Sequence, residues 1–287
     1  CMTIRQAIVN YFTDEASNKR IGSVTAGLKY TAVTVDGGGM GVAYTWTETA
    51  ARPADGVPAA SQSDRRENTT AAQARNTRPA GTAGACCPKA GTFYENFEGR
   101  PAQELLERLT GEEPLHISMA LALVNALNAE KAAGFDEDRG KNPALFEALG
   151  AGRGSRVAMV GYFRPIEKLL TDMGADVYIH DRAHGIGSGE ELSDRLTRWA
   201  DSLILTSTTI IGGAFDEILG RCPANLPVAL LGPSTPMVPE LFSGGSIRYA
   251  GGTVPEDAEA TLRVIRQGGG TRDFQKYGKK VYALPNG

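Results

Sequence analysis

The stretch Arg156-Val157-Ala158-Met159-Val160-Gly161-Tyr162-Phe163-Arg164-Pro165 runs from an apolar strand through a small-residue turn into a helix. The same unit recurs to the carboxyl side. Strands are predicted at Arg156–Val160, Asp176–His180, Ser202–Thr206, Pro227–Leu231 and Ile247–Ala250, each a short apolar run followed by Gly, Asp, Ser or Thr and then by helical sequence. Five such units predict a doubly wound α/β sheet. Right-handed crossovers put helices on both faces and leave the turns after the strands along one crevice, where open α/β folds bind ligands. The polar groups expected there come from Gly161–Arg164, Asp181, Thr206–Thr209 and Gly232–Thr235.

The chain has 287 residues, 41% of them hydrophobic, enough for a sizeable core and the usual size for two domains. A formal charge of −3, with no block of Lys and Arg interleaved with aromatics, argues against a nucleic-acid partner. No run approaches the roughly 20 apolar residues of a membrane span, and no secretion signal is recognisable. A cytoplasmic protein without membrane insertion is expected. Setting aside Cys1, the cysteines are the adjacent Cys86 and Cys87 and the distant Cys222, which is no disulfide framework and fits a reducing compartment.

The amino-terminal half reads differently. A short amphipathic helix is expected near Thr3–Phe12, followed by strands at Ile21–Val35 and Gly41–Thr47 joined through Asp36-Gly37-Gly38-Gly39. Between Thr47 and Thr92 the only large aliphatic or aromatic residue is Val57, so most of Ala50–Gly84 reads as a long polar loop. Helical spacing resumes at Pro101–Leu109 and Leu115–Ala133, and the Gly- and charge-rich Phe135–Gly154 reads as a linker.

Motif by motif, the phosphate-binding signals are weak. A dinucleotide site needs Gly-x-Gly-x-x-Gly directly after the first strand, whereas Tyr162 and Phe163 are bulky; ordinary NAD or FAD binding is disfavoured. Tyr162 and Phe163 suit a flat organic ligand or an interdomain core equally. The hydroxyl-rich turns Thr206-Ser207-Thr208-Thr209 and Gly232-Pro233-Ser234-Thr235 are expected to open helices and to favour an anion, against the plainer reading that each caps its own helix. Asp181 stands where a dinucleotide fold places the acid on a ribose hydroxyl. His180 and His184 flank it, and are read as solvated before ligating. Lys29 and Tyr30 on the first long strand and Asn125 on an apolar helix are further candidates for the crevice. Asn125 either fixes helix packing or presents its amide to a ligand. Adjacent thiols at Cys86 and Cys87 can both reach a soft metal if the backbone is irregular, but they lack the spacing and second pair of a zinc site, and the alternative is that they simply pack.

Gly27-Leu28-Lys29-Tyr30-Thr31-Ala32-Val33, Gly41-Val42-Ala43-Tyr44, Cys86-Cys87, Ser118-Met119-Ala120-Leu121-Ala122-Leu123-Val124-Asn125-Ala126, Val160-Gly161-Tyr162-Phe163 and Leu231-Gly232-Pro233-Ser234-Thr235 together resemble the "putative heavy-metal chelation" family. The resemblance covers nearly the whole chain except Ala50–Gly84. It implies a small enolase-amino-terminal-like α+β domain over 2–134, a linker over 135–154 and a Rossmann-like domain over 155–287. It also implies a heavy or transition metal ion, or its chelate, held between the domains, with Cys86 and Cys87 as metal ligands and the Ser and Thr turns on a small anionic molecule. The alternative is an enzyme acting on a nucleotide-like or S-adenosyl-type molecule. A third reading is an accessory to a metal transporter that uses the Ala50–Gly84 loop for contact, and homo-oligomers are common among two-domain proteins of this kind.

Overall fold

The computed structural model describes residues 2–46, 95–140 and 142–285. Cys86, Cys87 and the Ala50–Gly84 stretch lie outside the described residues. A seven-stranded sheet and a three-stranded antiparallel sheet organise the rest.

The amino-terminal elements are α1 (Ile4–Ser17), β1 (Ile21–Ala26), β2 (Tyr30–Val35), β3 (Met40–Tyr44), α2 (Ala102–Leu106) and α3 (Pro114–Leu127). Thr3 caps α1 by accepting the Gln6 amide, and Ile4, Ile8, Phe12 and Ala16 recur at four-residue spacing to bury one face. The single strand expected over Ile21–Val35 is two strands. The chain reverses at Gly27-Leu28-Lys29, and β1 pairs antiparallel with β2. The cause is distant: a β-carbon on Gly27 would strike the Ile265 carbonyl, so this turn packs against a helix far along the chain. Alternation along β2 and β3 sends Val33, Val35 and Ala43 towards α1 and α3, and Tyr30, Ala32, Met40 and Val42 to the other face, against Ile265 and Phe274. Gly41 lets α3 lie directly on β3, since a side chain there would collide with the backbone of Ala122 and Ala126. The helix expected over Leu115–Ala133 breaks at Asn128, and α4 (Ala129–Ala133) continues it.

Residues 135–154, read as a linker, carry structure of their own: β4 (Asp136–Glu137), which joins the large sheet, and α5 (Pro143–Leu149). Leu145, Phe146 and Leu149 of α5 are buried, which composition hides because charged and small residues surround them. There follow β5 (Arg156–Val160), α6 (Arg164–Asp172), β6 (Asp176–His180), α7 (Gly189–Asp194) running into a π-helical turn at Arg195–Trp199, β7 (Ser202–Thr206), α8 (Thr208–Gly212), α9 (Phe215–Arg221), β8 (Val228–Leu231), β9 (Ile247–Pro255), α10 (Ala258–Arg266), α11 (Thr271–Phe274) and β10 (Gly278–Ala283). The sheet order is β4-β10-β9-β8-β7-β5-β6. Strands β5 to β9 are parallel, and β10 and β4 close one edge antiparallel.

The central parallel strands β5, β7 and β8 are buried on both faces, with two-residue alternation between two cores, while the edge strand β6 is only half-buried. Val157, Met159, Ile204, Ala229 and Leu231 pack with α5 and α6, whereas Ala158, Val160, Leu203, Leu205, Val228 and Leu230 pack with α7, α9, α1 and α3. The change of helix face follows from the change of direction. The chain steps outward from β5 to β6, then crosses back over β5 to β7, and right-handed crossovers in opposite directions lie on opposite faces. The point of reversal lies between the carboxyl ends of β5 and β7.

Candidate functional site

In doubly wound sheets the crevice outside the carboxyl ends of the strands, where the order reverses, is the natural ligand position. Here it is bounded by the turns after β5 and β7, with the turn after β8 alongside. Gly161 opens the first turn at φ +89°, donates its amide to the His180 carbonyl (2.9 Å) and lies so close to Thr206 that a β-carbon would come within 2.8 Å. The Tyr162 ring is 37% exposed and meets the His184 ring edge-on at 6.1 Å. Phe163 turns inward, donating its amide to the Met159 sulfur and packing its ring in the α5–α6 core, so Tyr162 is the exposed one of the two aromatics.

Asp181 follows β6, and its carboxylate already takes three donors. One carboxylate oxygen accepts the Tyr162 amide (2.8 Å), and the other accepts the His184 amide and lies 3.0 Å from His184 Nδ1. Burial pushes this acid upward, but the hydrogen bonds from the His184 side chain and amide and from the Tyr162 amide outweigh it and hold it below the ordinary carboxylate value. Asp181 thus braces the first turn. His180 is buried at the end of β6; burial first, and Arg182 second, hold its imidazole below the ordinary histidine value.

Beyond β7, Thr206 and Thr208 are half-buried with hydroxyls 3.0 Å apart. Thr209 donates its hydroxyl back to the Thr206 carbonyl (2.6 Å), and α8 has no side-chain N-cap, so the expected capping role is not found here. Ser207 is fully buried; its amide continues the ladder to the Leu231 carbonyl (2.8 Å), and its hydroxyl has no protein partner. Gly232 lies against that hydroxyl, which an added β-carbon would approach to 2.8 Å.

The turn after β8 differs from expectation because no helix starts at Ser234. Residues 232–238 are irregular, and the next helical turn is the 3-10 segment Pro239–Phe242. The Ser234 hydroxyl accepts the Tyr44 amide (2.8 Å), tying β3 to this turn. Thr235 is 1% exposed with its hydroxyl unpartnered. Asn125 donates its amide nitrogen to the carbonyls of Val42 (2.9 Å) and Pro233 (3.3 Å), the packing role of its two alternatives. Of the remaining candidates, Lys29 is an exposed turn residue rather than a strand residue, and the Tyr30 hydroxyl is committed to Thr271 (2.6 Å). Burial raises the Tyr30 phenol above its ordinary value, an effect the Thr271 bond partly offsets.

The structure brings Gly161 against Thr206 with Thr208 alongside, places Tyr162 with Asp181 and His184, and puts Lys29 and Tyr30 elsewhere. Sequence reasoning passed over Tyr44 and Trp46, whose rings meet edge-on at 6.2 Å beside the Ser234 turn; their aromatic pairing across one intervening residue was the available signal. Among the described residues no three His, Cys, Asp or Glu side chains converge as a metal site.

Comparison with known proteins agrees with this architecture. Two family models, each described as "Putative heavy-metal chelation", match residues 9–128 and 144–284. A crystal structure of a protein of unknown function from the DUF364 family of Pyrococcus horikoshii superposes with a TM-score of 0.71 at 17% identity, over 98% of this chain and 100% of that one. A second DUF364 protein of unknown function, from Desulfitobacterium hafniense, gives 0.66 at 17% identity over 98% and 96% of the two chains. An uncharacterized protein of Methanocaldococcus jannaschii is 25% identical over 162 residues, 55% of this chain and 62% of that protein, so the chain spans less than two thirds of that relative. With both halves matched and the whole fold shared, the chain belongs to the family described as "Putative heavy-metal chelation".

Proposed function

We propose that the chain binds a heavy or transition metal as cargo, in complex with a small anionic chelator, at the crevice where β5 and β7 part. The observation that carries this reading is the pair of half-buried hydroxyls of Thr206 and Thr208 at the carboxyl end of β7, against the Gly161 turn, with the exposed Tyr162 ring following in that turn. Hydroxyls donate to carboxylate or phosphate oxygens, and an aromatic ring covers the organic part of a chelator. A bare soft cation instead asks for thiolates or imidazoles converging on one point. Under this reading Cys86 and Cys87 add thiolate ligands or cap the complex. Asp181 serves indirectly, by holding the Tyr162 backbone in place.

The test is isothermal titration and native mass spectrometry on protein purified anaerobically without a metal-affinity tag, with a metal salt alone and with its citrate complex. Saturable one-to-one binding of the complex is expected. A Thr206→Val/Thr208→Val variant should weaken it by about 10–100-fold, since a hydrogen bond to a charged group contributes about 1.5–3 kcal/mol. Cys86→Ser/Cys87→Ser should release metal preferentially over chelator. Equal binding of metal alone, unchanged by the threonine substitutions, would refute the chelate reading. The rival, an enzyme for a nucleotide-like or S-adenosyl-type ligand, requires Asp181 to accept a ribose hydroxyl beside its bonds from His184 and the Tyr162 amide. It predicts adenosine-compound binding that Asp181→Ala abolishes.

A further inference from the structure

Of the chain's three histidines, His180 is buried and His116 is half-buried against the Phe97 ring, whereas the His184 side chain is 63% exposed. Exposure has not left it loose. Its Nδ1 lies 3.0 Å from an Asp181 carboxylate oxygen, and its ring meets that of Tyr162 edge-on. The loop that carries it is pinned at both ends, because Asp181 and Ile186 exchange backbone bonds in both directions (2.9 Å each). Asp181 also accepts the amides of His184 and Tyr162.

A carboxylate only accepts, so Nδ1 carries the proton and the lone pair of the neutral imidazole sits on Nε2. Metal-binding histidines use this arrangement: the carboxylate fixes the tautomer and the ring orientation, and makes the coordinating nitrogen more basic. Imidazole suits zinc, copper and nickel. The position also suits the chelate. Gly161 lies against Thr206, and the next residue, one ~3.8 Å step along the chain, is Tyr162, whose ring meets His184. Since no three His, Cys, Asp or Glu side chains converge among the described residues, a bare ion finds no full ligand set here. A metal whose other positions are filled by a chelator needs only one.

We propose that His184 coordinates the metal of the bound chelate through Nε2, in a position the chelator leaves open, with Asp181 as the positioning residue. The inference rests on the chelate reading above and adds the protein's own imidazole ligand to it. The step exchanges one metal-bound water for Nε2 and releases no proton.

The experiment titrates zinc citrate into the full chain carrying isotope-labelled histidine, followed by proton–nitrogen correlation spectra of the imidazoles and by calorimetry. Before addition, His184 should show a protonated Nδ1 and a bare Nε2. One equivalent should move its Nε2 resonance to the metal-bound range and leave His116 and His180 in place. Asp181→Asn should weaken binding by about 10–100-fold and lose the single-tautomer signature, and His184→Gln should weaken binding by at least as much. Binding of the complex that moves no Nε2 resonance and survives His184→Gln would overturn this inference and leave the chelate reading standing. No binding of the complex, with the His184 resonance moved by one equivalent of zinc ion alone, would do the reverse. Movement only with excess zinc, insensitive to Asp181→Asn, is the behaviour of any exposed imidazole and would also overturn the inference. Failure of both zinc and zinc citrate to bind would overturn both readings. If Asp181→Asn fails to fold, His184→Gln, at an exposed position, still decides.

Discussion

Gly161 and His180 sit side by side at the carboxyl end of the sheet, joined by the bond from the Gly161 amide to the His180 carbonyl, and each carries a prediction. Gly161→Ala forces a side chain onto a φ of +89° and into Thr206, so a loss of about 1–3 kcal/mol is expected in urea unfolding. An unchanged midpoint would mean that the turn relaxes freely. The His180 imidazole is held neutral by burial and by Arg182, while Asp181 and Glu191 pull the other way. Its folded pKa lies below the unfolded value of about 6.5, so the unfolded chain takes up the proton first as pH falls. The stability it contributes is present above that value and is lost as pH drops through the folded one. Asp181 behaves likewise in a more acidic window, its contribution present above the ordinary carboxylate value and lost as pH falls through its lowered pKa. Measuring unfolding midpoints from pH 4 to 8 should show the upper slope flatten in His180→Phe. An identical slope in that variant would assign it to other groups.

Among the elements, α8 depends on a distant partner. It is a single short helix directly after Thr206 and Ser207, and its carboxyl end is held by Arg5, whose guanidinium donates to the carbonyls of Ile210 (2.7 Å) and Ile211. In return Asp216, in the first turn of α9, accepts the Ile4 amide at the start of α1 (3.0 Å). Arg5→Met keeps most of the packing and removes the bonds, so a loss of about 1.5–3 kcal/mol is expected in denaturant unfolding. An Arg5→Met midpoint equal to the parent's would show that these bonds carry no stability. This dependence marks the limit of what local pattern reveals. The strands β5 and β7 are legible from sequence to the residue because burial on both faces writes itself as a near-continuous apolar run, and the half-buried edge strand β6 is marked by the short run Val177-Tyr178-Ile179 between polar ends. The turn at Gly27–Lys29 is not, because the need for glycine comes from the Ile265 carbonyl. The hydroxyls at Thr206–Thr208 are visible as a cluster, but Asn125 and Ser234 become interpretable only when Val42, Pro233 and Tyr44 are placed beside them.

On the scale of the molecule, one buried cluster joins Phe12 of α1 and Leu123 of α3 to Leu205 and Leu230 of the parallel sheet. Helix α3 is buried on nearly every side, as expected of a helix apolar all round. Leu123→Ala should therefore cost about 2–5 kcal/mol and lower a single cooperative transition that fluorescence and circular dichroism report alike. Two separated transitions, with only the first shifted, would show that the sheets unfold independently. The outer face of the three-stranded sheet adds a consequence in time. Tyr30, Ala32, Met40 and Val42 are covered by Ile265 and Phe274, which are synthesised more than 200 residues later. At about 5–20 residues per second a ribosome needs roughly 10–45 s to deliver that cover. Throughout that interval the nascent chain carries a half-clad sheet, so its yield depends on whatever shields apolar surface during translation.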